Sequence, residues 1–276
     1  MEPKFAFLGT PELCIPLLED LHQAGFLPSV VVTNPDRPVG RKQVMTPPPV
    51  KLWAEAHNVA VLQPETIDEA FMEEFSSYGI DLSIVVAYGK ILPKAFIDLP
   101  SKGTINIHYS LLPRWRGASP VEAAILAGDT ESGVTIQQMV PKLDAGPILA
   151  RQTYTVPDNI TAPDLRDDLN AQAAKLLVST LPDILSGNVN PEPQDTDLVT
   201  TCTKFSKQDA EVSLDEGPLT LWRKYRAYYH WPRIFYFDEN NKRVIITEAD
   251  FVDGKFVIKK ILPEGGKEKN FNDGDR

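Results

Sequence analysis

The sequence predicts an α/β protein: a doubly wound, mostly parallel, Rossmann-like sheet followed by a small β-rich C-terminal domain. Three observations carry this expectation. Short apolar runs alternate with helical patterns through the first 150 residues. The run LSIVVAY at 82–88 is apolar on both faces, as a central parallel strand is. A proline-rich polar stretch, SGNVNPEPQDTD at 186–197, then separates this region from one of short strands.

Taken in order, KFAFLG (4–9) reads as a strand and Pro11 to Ala24 as a helix with apolar Leu13, Leu17, Leu18 and Leu21. SVVVTN (29–34) is a second strand, VKLWAEAHN (50–58) a helix, and VAVLQP (59–64) contains a third strand. Residues 67–76 look helical, 82–88 form a fourth strand and TINIH (104–108) a fifth. SPVEAAILAG (119–128) is a helix, and VTIQQMV (134–140) and PILARQTYTV (147–156) are strands around a turn holding Asp144. A long helix fits 161–185, with Thr161 as its cap. The reading divides the chain into a catalytic domain at 1–187, a linker at 188–203 and a C-terminal domain at 204–276. The last contains a helix around Leu219–Tyr228, strands near 234–238, 243–248 and 256–261, and a tail from 265 expected to fray.

Composition narrows the function. The 276 residues are 42% hydrophobic, enough to bury a core. The net charge of −10 argues against general coating of nucleic acid but leaves room for a local basic patch. Residues 201–276 hold 14 basic and 13 acidic side chains, a net of +1, so the first 200 hold 28 − 14 = 14 and 38 − 13 = 25, a net of −11. The smaller domain is therefore the less acidic, as a surface meeting a polyanion is. Cys14 and Cys202 lie far apart without metal-ligand spacing, which suits a reducing compartment. No apolar run approaches the roughly 20 residues of a membrane span, and MEPKFAFLGTPE is too short an apolar start for a signal peptide. A soluble cytoplasmic protein is expected.

The first strand–helix turn excludes two ligand classes. A dinucleotide fold places G-x-G-x-x-G there, but this chain has Gly9-Thr10-Pro11-Glu12, one glycine with an acid where phosphate would sit. The P-loop motif is absent as well.

Asn106 and His108 alternate along one strand, so they share a face at its carboxyl end, where open α/β sheets bind ligands. An isolated N-x-H more often pairs with backbone. Here the chain has only four histidines, and Asp144 in LDAGPI offers the imidazole a partner. Asn, His and Asp suit acyl or one-carbon transfer without a covalent intermediate. Attack of an amine on a formyl carbon creates an oxyanion that an amide N–H and an imidazolium stabilise. The amine must also lose a proton, which imidazole accepts, with a carboxylate orienting the ring. Ser110 as a hydrolase nucleophile lacks its G-x-S-x-G elbow, and one His with one Asp makes a poor zinc site, so no metal is expected.

GTPE (9–12), NPDRPVGRK (34–42), VVAYGKILP (85–93), INIHYSLLPRWRGASP (105–120) and GVTIQQMVPKLDAGPIL (133–149) occur in an order that closely resembles the methionyl-tRNA formyltransferases. These belong to the folate-dependent formyltransferase superfamily. The resemblance covers residues 4 to 187 strongly and 200 to 266 more weakly. It implies transfer of a formyl group from 10-formyltetrahydrofolate to methionine on initiator methionyl-tRNA. Carried over, Asn106 and Asp144 are catalytic with His108 between them. Ser110, Leu111, Leu112 and Pro113 line the folate site, with Ala87, Tyr88, Gly89, Ile91 and Leu92 on the pterin side.

The loop at 34–51 carries Arg37, Arg41, Lys42 and Lys51 against one acid, Asp36, and five prolines are expected to deny it regular structure. Charge alone fits a solvated loop, whereas the resemblance implies contact with the tRNA acceptor stem. Lys204, Lys207, Arg223, Lys224 and Arg226 extend the basic track. Arg114 and Arg116 fit the folate tail, the tRNA end or structural ion pairs equally.

Two features depart from the family pattern. Tyr109 stands where a small residue or proline is usual. Only 72 residues follow Lys204, so the C-terminal domain is expected to be a shortened version of the family's OB-like barrel. The alternatives are a formyltransferase acting on an amino sugar nucleotide or another small amine, and a folate- or tRNA-binding module without activity. A monomer is expected.

Overall fold

The computed structural model describes residues 3–40, 42–272 and 274. Packing groups the chain into two compact units. One comprises Met1–Arg116, Gly133–Tyr154 and Asp167–Thr200, and the other Gly117–Ser132, Thr155–Arg166 and Thr201–Arg276.

In chain order the elements are β1 (Phe5–Gly9), α1 (Cys14–Gln23), β2 (Val30–Val32), β3 (Arg37–Val39), β4 (Val44–Thr46), α2 (Pro49–Ala56), β5 (Ala60–Leu62), α3 (Glu69–Ser76) and β6 (Leu82–Val86). There follow α4 (Lys94–Ile97), β7 (Thr104–His108), β8 (Arg116–Gly117), α5 (Pro120–Ala127), β9 (Glu131–Gln138), β10 (Ile148–Thr155) and α6 (Ala162–Ser186). The chain ends with β11 (Thr201–Cys202), α7 (Pro218–Ala227), β12 (Phe235–Phe237), β13 (Arg243–Val252), β14 (Lys255–Pro263) and β15 (Lys269–Asn270).

The first unit is built on a seven-stranded sheet ordered β10-β9-β7-β6-β1-β2-β5. Strands β1 and β6 are buried along their whole length, as the continuous apolar runs require. The pairs β1–β2, β1–β6, β2–β5 and β6–β7 are parallel, and β7–β9 is antiparallel. The Rossmann-like sheet is thus mixed at one end. Helix α1 buries Cys14, Leu17, Leu18 and Leu21, one stripe at helical spacing. Helix α3 is capped by Asp68, whose carboxylate accepts the Phe71 N–H at 3.0 Å. Phe71, Phe75 and Phe96 stack beside Ala6, Leu8, Val30 and Val32 to fill one layer of the core.

The proline-rich loop departs from expectation. Its β3 and β4 form an antiparallel hairpin with Arg37 opposite Thr46 and Pro38 opposite Met45. A two-stranded ribbon has free edges on both sides, so a proline lacking its N–H is tolerated there. Pro49 opens α2 from its first turn, which places Lys51 on the helix rather than in the loop.

In the second unit α5 packs against α7, and β12-β13-β14-β15 form a four-stranded sheet. Strands β12–β13, β13–β14 and β14–β15 are all antiparallel, and the described residues supply no pair closing β12 on β15. Among the described residues the sheet is therefore an open antiparallel meander, where a shortened OB-like barrel was expected. The expected frayed tail instead supplies β15. Tertiary contacts also draw the units differently from the composition shift. Arg166 pairs with Glu122, and buried Arg226 donates from Nη1 to the Ile160 carbonyl at 3.2 Å, which ties 117–132 and 155–166 to α7. Gly117, at φ 123°, meets the Cys202 carbonyl so closely that a Cβ would lie 2.0 Å from its oxygen.

Candidate active site

Strand β7 delivers its polar pair as the period of two requires. Ile105 and Ile107 are buried on one side, and Asn106 and His108 point to the other. The antiparallel neighbour β9 places Gln137 opposite Asn106 and Thr135 opposite His108, on the same face. Asn106 is half-buried and His108 buried.

The His108 ring is fixed from two sides. Its Nε2 lies 2.8 Å from the Trp115 carbonyl oxygen. A carbonyl only accepts, so Nε2 carries the proton. The lone pair of the neutral ring then sits on Nδ1, which faces Asp144 Oδ2 at 3.7 Å. Both side chains are well shielded, at 7% and 10% exposure. The other carboxylate oxygen, Oδ1, accepts from Gln137 Nε2 at 2.8 Å. Asp144 and Trp115 both hold left-handed backbone, at φ 47° and 62°. Non-glycine residues in that region cost about 1–3 kcal/mol each and persist where surrounding structure demands them.

The turn after β7 is pinned by main-chain and hydroxyl contacts. Thr135 Oγ1 donates to the Ser110 carbonyl at 2.7 Å and accepts from the Leu112 N–H at 3.1 Å. Ser110 Oγ donates to the Arg114 carbonyl at 2.6 Å, and the Leu112–Pro113 bond is cis. Ser110 and Leu112 are buried, whereas Leu111 and Pro113 keep a partly open surface. Leu111 leans onto Gly133, where a Cβ would lie 2.6 Å from its side chain.

The segment after β6 splits in the same way. Ala87 and Gly89 are exposed with φ 46° and 82°, and Ile91 is 95% exposed. Tyr88 and Leu92 turn inward. The Tyr88 carbonyl accepts from Thr10 Oγ1 and Asn34 Nδ2, both at 3.2 Å, which ties the turn at Gly9–Glu12 to this segment. Burial pushes the Tyr88 phenol up to about 12.

The basic residues fall into unlike settings. Lys51 Nζ holds both oxygens of Asp36 at 3.0 and 2.9 Å, and Gln63 Nε2 reaches the same carboxylate at 2.8 Å. The Gln63 hydrogen bond and the Lys51 contact hold the Asp36 carboxyl below the ordinary range. Lys51 therefore anchors the base of the hairpin. Arg37 forms an exposed pair with Glu65 at 2.5 Å, and Lys42 is exposed at the hairpin turn. Arg41 lies outside the described residues. In the second unit Lys224 is paired with Glu216 at 2.8 Å, and Arg226 is buried over Trp222.

The flanks of the β7 turn are resolved too. Arg116 is buried and donates from Nε and Nη2 to Gln194 Oε1 at 3.0 and 2.8 Å, a structural role. Arg114 is exposed and covers the Trp115 ring at 4.4 Å. Tyr109 points away from His108. Its hydroxyl donates to Asn170 Oδ1 at 2.7 Å on α6. Sequence reasoning missed Gln137, Gln194 and Thr200. For Gln137 a signal existed: alternation in VTIQQMV puts it on the face of Thr135. Among the described residues no group of three or more His, Cys, Asp or Glu is placed to hold a metal, and no helix is long and apolar enough to cross a membrane.

Residues 3–181 match the family described as formyl transferase. A methionyl-tRNA formyltransferase of Halalkalibacterium halodurans is 41% identical over 250 residues, covering 90% of this chain and 78% of the relative. Its counterpart in Halorhodospira halophila is 44% identical over 227 residues, covering 82% and 73%. Among solved structures, a 4-N formyltransferase from Francisella tularensis superposes with a TM-score of 0.71 at 19% identity, covering 90% of this chain and 98% of that one. That likeness speaks to the fold.

Proposed function

Because the chain belongs to the methionyl-tRNA formyltransferase family of formyl transferases, we propose that it moves the formyl group of 10-formyltetrahydrofolate onto the amino group of methionine on initiator tRNA. The observation that carries the mechanism is the arrangement at the end of β7: a half-buried amide, an imidazole with a defined tautomer, and a carboxylate facing its basic nitrogen.

The methionine amine attacks the formyl carbon, and the carbonyl electrons move onto oxygen. Asn106 is the amide that donates to this oxyanion in a shielded setting, where such a bond is stronger than in water. The attacking nitrogen becomes cationic and gives its proton to His108 Nδ1. The resulting imidazolium faces Asp144, whose charge stabilises it. Collapse of the oxyanion breaks the bond to N10 of the folate, and the proton returns from His108 to that nitrogen. Formyl-methionyl-tRNA and tetrahydrofolate leave, and the enzyme is unchanged.

In this reading the donor lies on the surface after β6 and β7. Exposed Ile91 and the partly open Leu111 offer apolar cover for a flat ring, and the exposed backbone at Ala87 and Gly89 offers hydrogen bonds for its edge. The basic hairpin, with Arg37, Arg41 and Lys42, is the tRNA contact in this reading, and Lys51 is its anchor. The reading carries with it a cytoplasmic monomer, for which gel filtration should give a mass near 30.7 kDa.

The test offers charged initiator tRNA and amino sugar nucleotides side by side with 10-formyltetrahydrofolate. Formylation of the tRNA is expected. Formylation of the sugar alone would overturn the reading.

A further inference from the structure

The polar stretch before β11 has the composition of a linker, yet its contacts converge on His108. Glu192 exchanges two main-chain hydrogen bonds with Ile148, at 2.7 and 2.8 Å, just past the Asp144 turn. Gln194 is half-buried among exposed neighbours. Its Nε2 donates to the carbonyls of Asp144 at 2.9 Å and Gly146 at 2.7 Å, while its Oε1 takes the Arg116 guanidinium. That commits both donors and both lone pairs of one amide. Gly146 leaves the turn no slack, because a Cβ there would lie 1.6 Å from the Gln138 carbonyl oxygen.

Thr200 does the equivalent work on the opposite side of the ring. Its hydroxyl accepts the Trp115 N–H at 2.9 Å, its carbonyl accepts the Arg116 N–H at 2.9 Å, and its N–H donates to the Pro113 carbonyl at 3.3 Å. The Trp115 carbonyl is the acceptor that fixes the His108 tautomer. Both neighbours of the imidazole, the Asp144 turn and the Trp115 carbonyl, are thus held by a single segment.

We propose that residues 192–200 form a positioning strap, in which Gln194 sets Asp144 and Thr200 sets the Trp115 carbonyl so that together they aim the His108 ring. Gln194 and Thr200 are positioning residues, acting through groups that face the reaction. The inference rests on the formyl-transfer reading for its kinetic consequence only. A ring displaced by about 1 Å is expected to lose roughly 10²-fold in rate.

Two variants of the full chain test it. Gln194→Glu keeps an acceptor for Arg116 and removes both donors to the Asp144 turn. Thr200→Val keeps the side-chain shape and removes the acceptor for the Trp115 N–H. The first readout is the ¹H–¹⁵N spectrum of the His108 ring in the free protein, one of four histidines, assigned by its loss in His108→Asn. Both variants are expected to move that signal and leave the other three in place. The second readout is formylation: kcat should fall by about tenfold or more, with KM for tRNA and folate within about twofold. Gln194→Glu should add little to the loss already caused by Asp144→Asn, because both act through one carboxylate. An unmoved His108 signal with unchanged kcat overturns the strap. An undiminished loss on the Asp144→Asn background also overturns it, since a tie that merely stabilises the fold would act whatever residue 144 is. If the unaltered protein fails to formylate charged tRNA, the functional reading falls, and the His108 spectra alone decide the strap.

Discussion

His108 Nδ1 and Asp144 Oδ2 stand 3.7 Å apart, too far for a hydrogen bond and close enough for an ion pair. The neutral ring therefore has nothing to gain from this carboxylate, and the charged ring has much. As the proton arrives on Nδ1 during the reaction, the carboxylate stabilises the charge that develops there. Asp144→Asn keeps an oxygen for Gln137 and removes the charge. We expect kcat to fall by about 10²-fold or more, with KM for 10-formyltetrahydrofolate little changed. Steady-state kinetics with saturating charged tRNA measure this, and a variant within threefold of the unaltered enzyme would refute the role.

The basic hairpin makes a prediction that separates residues of equal charge. Lys42 is exposed, and Arg37 is exposed with only a surface pair to Glu65. Such pairs are worth little and yield readily to phosphate. Lys42→Ala and Arg37→Ala should each weaken tRNA binding and reduce the slope of log affinity against log salt by about one. Lys51→Met should leave that slope almost unchanged, because its ammonium is already held by Asp36. Filter binding of tRNA across a salt series distinguishes the three. Equal slopes for all of them would remove the hairpin from the tRNA contact.

What could be read in advance follows the range of the interactions involved. The β7 alternation is local, so the shared face of Asn106 and His108 was legible, and the apolar runs of β1 and β6 announced the sheet centre. The β3–β4 hairpin was hidden because prolines argue against strands everywhere except at free edges. The pairing of Lys51 with Asp36 depended on which oxygen met it across a turn, and charge counting treats all lysines alike. Gln194 carried no periodic signal among Pro191, Pro193 and Asp195, since its partners lie about fifty and eighty residues away in sequence. The unit boundaries turned on α5 packing against α7, a tertiary fact that composition does not record.

Tyr109 illustrates the same point with a sharper outcome. Next to His108 in sequence, it occupies the opposite face of the chain and joins Asn170, whose Nδ2 donates to the Leu13 carbonyl at 3.0 Å. Tyr109→Phe leaves the buried Asn170 Oδ1 without its donor. An orphaned buried acceptor costs about 1–3 kcal/mol. The variant should melt at a lower temperature and still formylate at an unchanged kcat. A kcat loss beyond about threefold at temperatures where the variant is folded would place the phenol in the reaction after all.

Cys14 provides a pH test of packing that is independent of catalysis. Its thiol is fully buried against β6 and donates to the Val86 carbonyl at 3.3 Å. Burial pushes it from 9.0 up to about 12, against a smaller lowering from the Thr10 backbone. In the unfolded chain the thiol loses its proton near its ordinary value; in the folded protein it keeps the proton much longer. The unfolded state therefore binds fewer protons between these values, and stability falls as pH rises through that window. Below pH 9.0 the contribution is fully present. Urea unfolding at several pH values from 8 to 11 should show a decline that is shallower in Cys14→Ala, while Cys202→Ala keeps the steeper decline. Alkylation adds a second reading: Cys14 should resist iodoacetamide in the native protein and react once urea unfolds it. Labelling of Cys14 in the native state at neutral pH would show that the β1–α1 turn opens far more readily than its packing implies.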